Sequence, residues 1–164
     1  MSDTVSKTRP EARSLFDAQY EDWIIHQAIE LLERRVFSTE PVLTNADAVR
    51  DFLRLKLVPE PNEVFAVIFL NTQHQVIAYE PLFKGTIDQC AAYPRVVVQR
   101  VIAHNAAAVI LSHQHPSGTT EPSASDWKFT KQLQSALITI GVRVLDHLIV
   151  GQGNSYSFAQ AGVL

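Results

Sequence analysis

One cysteine, Cys90, stands in a chain of 164 residues. A lone thiol closes no disulfide within the chain and builds no cysteine-based zinc site. A disulfide-stapled secreted fold is therefore excluded, and a cytoplasmic setting is expected. Positive charge is equally scarce. Fourteen Lys and Arg against 17 Asp and Glu leave a net charge of -3, which is not the footprint of a nucleic-acid binder. No apolar run is long enough to span a bilayer, so no membrane partner is expected. The first twenty residues, MSDTVSKTRPEARSLFDAQY, are polar and mixed in charge, without the apolar centre of a signal peptide. A phosphate-cradling loop is missing too, because the glycine-rich GQGN at 151–154 has no helix after it.

What is present is the composition of a folded domain. The hydrophobic fraction is 46% and the charged fraction 19%, and the length suits one core. Residues 1–20 read as a loose arm. From Asp22 onward Trp23, Ile24, Ile25, Ala28, Leu31 and Leu32 recur at helical spacing, to an end near Phe37. LTNADAVRDFLRLKL (43–57) reads as a second helix. Thr44 or Asn45 could cap it, and Val49, Phe52, Leu53 and Leu57 form its apolar face. EVFAVIFLN (63–71) is rich in β-branched and aromatic residues and reads as a buried strand, returned by QVIAYEPLF (75–83).

Pro94 suits the first turn of a third helix running through RVVVQRVIAHNAA. AVILSH (108–113) is the next strand. SASDWKFTKQLQSALITI is a fourth helix, stopped by Gly141. VRVLDHLIVG and SYSFA close the chain as strands. Helices alternating with strands predict an α/β fold, a mixed sheet flanked by helices. The expected division is an arm at 1–20, a helical lead-in at 21–57 and the main domain at 58–164, with one globular unit from about residue 21.

The chemistry concentrates in LSHQHPSGTTEPSASDWKF, residues 111–129. Residues two apart on a strand face the same way, so His113 and His115 can aim at one point while Gln114 points elsewhere. Pro116 and Gly118 turn the chain. Asp126 falls in the first turn of the next helix, where the fold-back can bring it to the histidines. Two imidazoles and one carboxylate are the ligand inventory of a catalytic zinc, which keeps a fourth position for water. Ser123 is placed to steady a developing oxyanion. PSASD is also a plain helix start, with Ser123 as N-cap and Asp126 as its capping-box partner. A zinc-bound Asp126 is expected to be less available for that capping role.

His113-x-His115-Pro116 followed by Ser123-x-x-Asp126 resembles the JAMM motif of the MPN/JAB metalloproteases. FKGT, YPRVVVQRVIAHNAAAVILSHQHPSG, PSASDWKFTKQL and LDHLIVGQGNSYSF are similar to the RadC family, historically called DNA repair proteins. The similarity runs from about Val58 to Leu164. It implies a JAMM/MPN fold related to cytidine deaminases. It also implies one Zn2+ per chain on His113, His115 and Asp126, an upstream glutamate that activates water, and Ser123 as the motif serine. Gln114 stands where the RadC family usually shows Asn. The expectation is a short form without the helix-hairpin-helix region of longer members, which weighs further against direct DNA contact.

The glutamate is Glu63 or Glu80. The start of EVFAVIFLN and the end of QVIAYE meet at one edge of a hairpin, and a crossover helix would bring the end of AVILSH to that edge. The family's glutamate leads the first of these strands, which favours Glu63. Glu80 is the alternative, with Glu121 behind it. Asp146 and His147, on the late strand, could surround the metal together with Glu80, although a buried histidine satisfied by a neighbour is the plainer reading. Arg95 and Arg100 are expected to pair with the protein's own carboxylates. Trp127, Phe129 and Leu133 read as a packing stripe. A deaminase would need a Pro-Cys-x-x-Cys ligand segment, which is missing.

The leading expectation is a zinc-dependent metallopeptidase cleaving a peptide or isopeptide amide in a polypeptide substrate. The alternative is a DNA repair or recombination module working through protein contacts with a structural metal. Substrate identity and oligomeric state are not written in the sequence.

Overall fold

The structure, a computed structural model, describes residues 18–85 and 93–164. Most of the N-terminal arm and Cys90 therefore lie outside the described residues, as does the side chain of Thr44. The helices are α1 (Ala18–Val36), α2 (Ala46–Leu57), α3 (Pro94–Ala103) and α4 (Ala124–Thr139). The strands are β1 (Val64–Leu70), β2 (Val76–Lys84), β3 (Ala108–His113), β4 (Arg143–Val150) and β5 (Ser155–Ser157). They form one five-stranded sheet in the order β2-β1-β3-β4-β5. Only β3 and β4 pair in parallel, across the α4 crossover, and every other neighbour is antiparallel. The fold is α/β with a mixed sheet flanked by helices.

β1 is buried along its whole length because both faces of the sheet are covered. The period of two divides its residues. Val64, Ala66, Ile68 and Leu70 join Val49, Phe52, Leu53 and Leu57 of α2 in one core layer. Phe65, Val67 and Phe69 join Val97 and Val101 of α3 and Leu133 and Leu137 of α4 in the other. An uninterrupted apolar run is what a strand covered on both sides requires. Pro94 opens α3, where its missing N–H removes no helical bond. Gly141, at φ 75°, ends α4 in the left-handed region that favours glycine.

Three expectations change. The first helix begins at Ala18, ahead of Asp22, and its apolar residues do not share one buried face. Leu32 and Val36 are buried, whereas Ile24, Ile25 and Leu31 are exposed. Tyr20 near its start is buried as well, and Leu32 and Val36 at its end join the core layer of α2, so the middle of the helix is the less covered part. The second helix starts after a short 3-10 turn, Val42–Asn45, and Asn45 makes no capping hydrogen bond from its side chain.

The third change moves Glu80. β2 continues past Glu80 to Lys84, so its end at the β1 start is Lys84, paired with Val64. Glu80 pairs with Val67, inside the strand, and does not reach the sheet edge where β3 ends. Its carboxylate instead accepts Arg100 Nε–H at 2.6 Å and lies 2.8 Å from His104 Nε2. The expected pairing of Arg100 with a carboxylate of the protein itself is thus present.

These partners carry a pH consequence. The Arg100 hydrogen bonds hold the Glu80 carboxyl down at about 2 from its ordinary 4.5; burial opposes them, and His104 adds to them. A depressed carboxyl pKa stabilises the fold fully above about 4.5 and loses that contribution as pH falls from there through about 2. Replacing Arg100 by Gln should move the Glu80 midpoint back up toward its ordinary value. A carboxyl-carbon NMR titration reads this directly, and a variant midpoint still near the wild-type one would contradict it.

Candidate metal centre

β1, β3 and α4 bring their functional ends to one edge of the sheet. Phe65 of β1 faces His113 of β3, so Glu63, one residue before β1, lies just beyond the end of β3. The chain then leaves the sheet through a tight turn. Gly118 donates its N–H to the carbonyl of His115 at 2.8 Å and sits at φ 78°. That turn is braced from outside by Gly151, where a Cβ would come within 2.8 Å of Thr120 Cγ2 and 3.1 Å of the Gly118 carbonyl. Only glycine allows so close an approach.

α4 starts with a complete capping box. Asp126 N–H donates to Ser123 Oγ at 3.2 Å, and Ser123 N–H donates to Asp126 Oδ2 at 2.7 Å. The same carboxylate that caps the helix also lies beside both imidazoles. Oδ2 takes Ser123 N–H and Ser123 Oγ–H, the latter at 2.6 Å, and still lies 3.3 Å from His115 Nε2. Oδ1 lies 3.3 Å from His113 Nε2.

The remaining side of the triangle is the 3.1 Å between His113 Nε2 and His115 Nε2. A tetrahedral site with metal–ligand bonds of 2.0–2.1 Å has ligand–ligand edges of about 3.3–3.4 Å. The two imidazole nitrogens therefore stand nearly at the separation such an ion imposes, and each lies 3.3 Å from one of the two Asp126 oxygens. Among the described residues, His113, His115 and Asp126 form the one group of three or more such side chains able to hold a metal. Their chemistry fits as well. His115 Nδ1 lies 2.9 Å from the Thr119 carbonyl, which only accepts, so Nδ1 carries a proton and Nε2 is the atom turned to the cluster. Two imidazole nitrogens and a carboxylate aimed at one point could hold a cation.

The electrostatics agree. Burial alone would push the Asp126 carboxyl up. Hydrogen bonds with His113 and His115, the His113 charge and the Ser123 hydrogen bond outweigh it and hold the group well below the carboxylate range. It stays ionised and faces the start of α4, where a negative charge is favoured. The Asp126 hydrogen bond raises the His115 pKa against burial, with help from the Thr119 carbonyl and the charges of Asp126 and Glu63. Glu63 is thus within electrostatic reach of the cluster.

Gln114, buried between the two histidines in sequence, holds Glu63 in place. Its Oε1 accepts Val64 N–H at 2.9 Å, and its Nε2 donates to the Asn62 carbonyl at 2.7 Å. The two bonds bracket Glu63 on either side. This was not foreseen beyond Gln114 pointing away from the histidines, since a contact across 50 residues leaves no local signal.

His147 Nε2 lies 2.8 Å from His113 Nδ1, and His147 Nδ1 lies 2.6 Å from Thr130 Oγ1. Thr130 was also missed, although it stands one helical turn after Asp126, on the same face. Burial pushes the His147 pKa well down, and the His113 charge adds to this. Asp146 is turned elsewhere. Its carboxylate accepts the N–H groups of His147 and Ala159 and the Ser157 hydroxyl, tying the C-terminal turn to β4. Glu80 is outside the cluster, and Glu121 is exposed on the loop. Trp127 packs on Phe158 and Phe129 on Phe65, as a packing stripe should.

A family model described as RadC-like JAB domain matches residues 43–163. A UPF0758 protein of Methylibium petroleiphilum is 52% identical over 124 residues, covering 76% of this chain and 56% of its own. One from Leptothrix cholodnii is 50% identical over 143 residues, 85% of this chain and 64% of its own. One from Azotobacter vinelandii is 51% identical over 125 residues, 76% and 56% respectively. The chain spans less than two thirds of the length of these relatives. No helix among the described residues is long and apolar enough to cross a membrane.

The Gln114 clamp can be tested alone. Replacing Gln114 by Ala leaves the buried Val64 N–H without its partner and the half-buried Asn62 carbonyl to solvent, and loss of a buried partner costs about 1–3 kcal/mol. Urea unfolding should show a loss of about that size. An unchanged midpoint would mean that water replaces the amide and the clamp does not hold the Glu63 segment.

Proposed function

Because the chain belongs to the RadC-like JAB domain family, we propose that it is a zinc-dependent hydrolase of the JAMM type, cleaving a peptide or isopeptide amide in a polypeptide. The single observation that carries this reading is the cluster of His113 Nε2 and His115 Nε2, 3.1 Å apart and each 3.3 Å from one Asp126 carboxylate oxygen. His113, His115 and Asp126 would hold the ion. When bound, zinc supplies Lewis acidity and lowers the pKa of a coordinated water to about 7.

The chain's own residues do the remainder. Glu63 is the general base and then the general acid, accepting a proton from water and passing it to the leaving nitrogen. Its backbone is fixed for this by Gln114 on one side and by the Gly85 N–H donated to its carbonyl at 2.8 Å on the other. Ser123 has the hydroxyl beside the cluster. It donates to Asp126 Oδ2 at rest and, by turning its O–H, offers a donor to the carbonyl oxygen as negative charge develops. The negative net charge supports a polypeptide rather than a nucleic acid as partner, and the single cysteine supports a cytoplasmic setting.

Wild type, Glu63→Gln and His113→Ala should be compared for zinc content and for cleavage of a peptide library and an isopeptide-linked conjugate. Wild type should hold one zinc per chain and cleave. Glu63→Gln should keep its zinc and lose about 10²–10⁴-fold in rate, the usual contribution of a general base. His113→Ala should lose both. Full activity in Glu63→Gln would move the base to Glu121. Salt-sensitive DNA binding by wild type, with no cleavage, would point to a repair module instead.

A further inference from the structure

His113 does not meet the cluster as an isolated ligand. Behind it runs a line of contacts from His113 Nδ1 to His147 Nε2 at 2.8 Å, from His147 Nδ1 to Thr130 Oγ1 at 2.6 Å, and from Thr130 Oγ1 to the Asp126 carbonyl at 2.6 Å. The line leaves one ligand and returns to the backbone of another. His147 is buried, stacked on Phe158 at 4.8 Å and edge-on to Phe65 at 5.7 Å, so no solvent completes its hydrogen bonds. Thr130 is fully buried as well.

We infer that Thr130 and His147 form a one-way hydrogen-bond chain that fixes His113 in the tautomer able to bind metal through Nε2. Direction follows from the end of the chain. The Asp126 carbonyl only accepts, so the single Thr130 proton is donated to it. Thr130 Oγ1 must then accept, and His147 Nδ1 carries a proton. His147 Nε2 is left as the acceptor, so His113 Nδ1 is the donor. A neutral imidazole protonated on Nδ1 presents its Nε2 lone pair, which is the atom 3.3 Å from Asp126 Oδ1. Were Thr130 to donate to His147 instead, every proton would reverse and His113 Nε2 would carry hydrogen, closing it to metal. One hydroxyl four residues along α4 from Asp126 therefore decides whether His113 is a ligand. Thr130 and His147 are positioning residues that touch no substrate.

This inference rests on the reading of His113 as a metal ligand, and two measurements separate the two. The first uses 15N-histidine NMR on metal-free wild type. His113 and His147 should each carry a proton on Nδ1, whether or not His113 holds a second one on Nε2 toward Asp126. A His113 or His147 with no proton on Nδ1, or a His147 with one on Nε2, overturns the chain, whatever metal does. The second measures zinc affinity by chelator competition in wild type, Thr130→Val and Thr130→Ser. Valine keeps the volume and removes the hydroxyl, and should weaken zinc binding about tenfold to a hundredfold, the usual effect of losing such a support. Serine should restore affinity to near wild type. A folded Thr130→Val with wild-type affinity would overturn the chain. Wild type that takes up no zinc would overturn the metal reading itself, with the NMR result still judging the proton arrangement.

Discussion

The site depends on one carboxylate that serves two masters without conflict. Asp126 caps its own helix through Oδ2 and faces His113 through Oδ1. The cap fixes the carboxylate in one orientation, and against burial the hydrogen bonds with His113, His115 and Ser123 keep it charged. A longer or more mobile acid at this position would have to be ordered on each encounter. Here the ordering is done by folding, because Ser123 and Asp126 satisfy each other's backbone groups as α4 begins. The local physics of a helix terminus thus sets the geometry of a cluster that could hold a metal.

The sheet supplies the other half. β1, β3 and β4 pair over their lengths with both faces covered, so His113 and His147 are each about 1% exposed. Rigid packing fixes His113 between Phe65 and His147, while His115, two residues beyond the strand, is more open. A deep imidazole and a shallower one leave an approach from the solvent side. Gln114 projects away from the histidines and ties the start of β1 to the end of β3, so the segment bearing Glu63 is held relative to the cluster. Three consecutive residues therefore divide into imidazole, clamp and imidazole, by the alternation of a strand and its exit.

Much of this was legible in the sequence. The apolar runs gave the central strands, Pro94 and Gly141 marked helix ends, and the offset from His113 to Asp126 predicted which donors converge. What escaped has physical reasons. Pro81 invites an early end to β2, since proline has no N–H to donate. β2 is an edge strand, which tolerates proline, and the register shifts between the residues facing Pro81 and Phe83. The sequence reads as a strand through to Phe83, but taking its end at QVIAYE places Glu80 at an edge it does not reach. The faces of α1 misled because periodicity reports amphipathicity, not how much of a helix is covered. Gln114 and Thr130 act through partners distant in sequence or through a proton's direction, and neither leaves a pattern along the chain. The matched family covers these positions but does not by itself say what they do.

The most direct measurement is a crystal structure of the zinc-loaded protein with anomalous data collected on both sides of the zinc edge. One peak should lie about 2.0–2.1 Å from His113 Nε2, His115 Nε2 and an Asp126 carboxylate oxygen, with the capping box of α4 intact. A peak at some other set of side chains, or none at this cluster with Asp126 turned away from both imidazoles, would contradict the account.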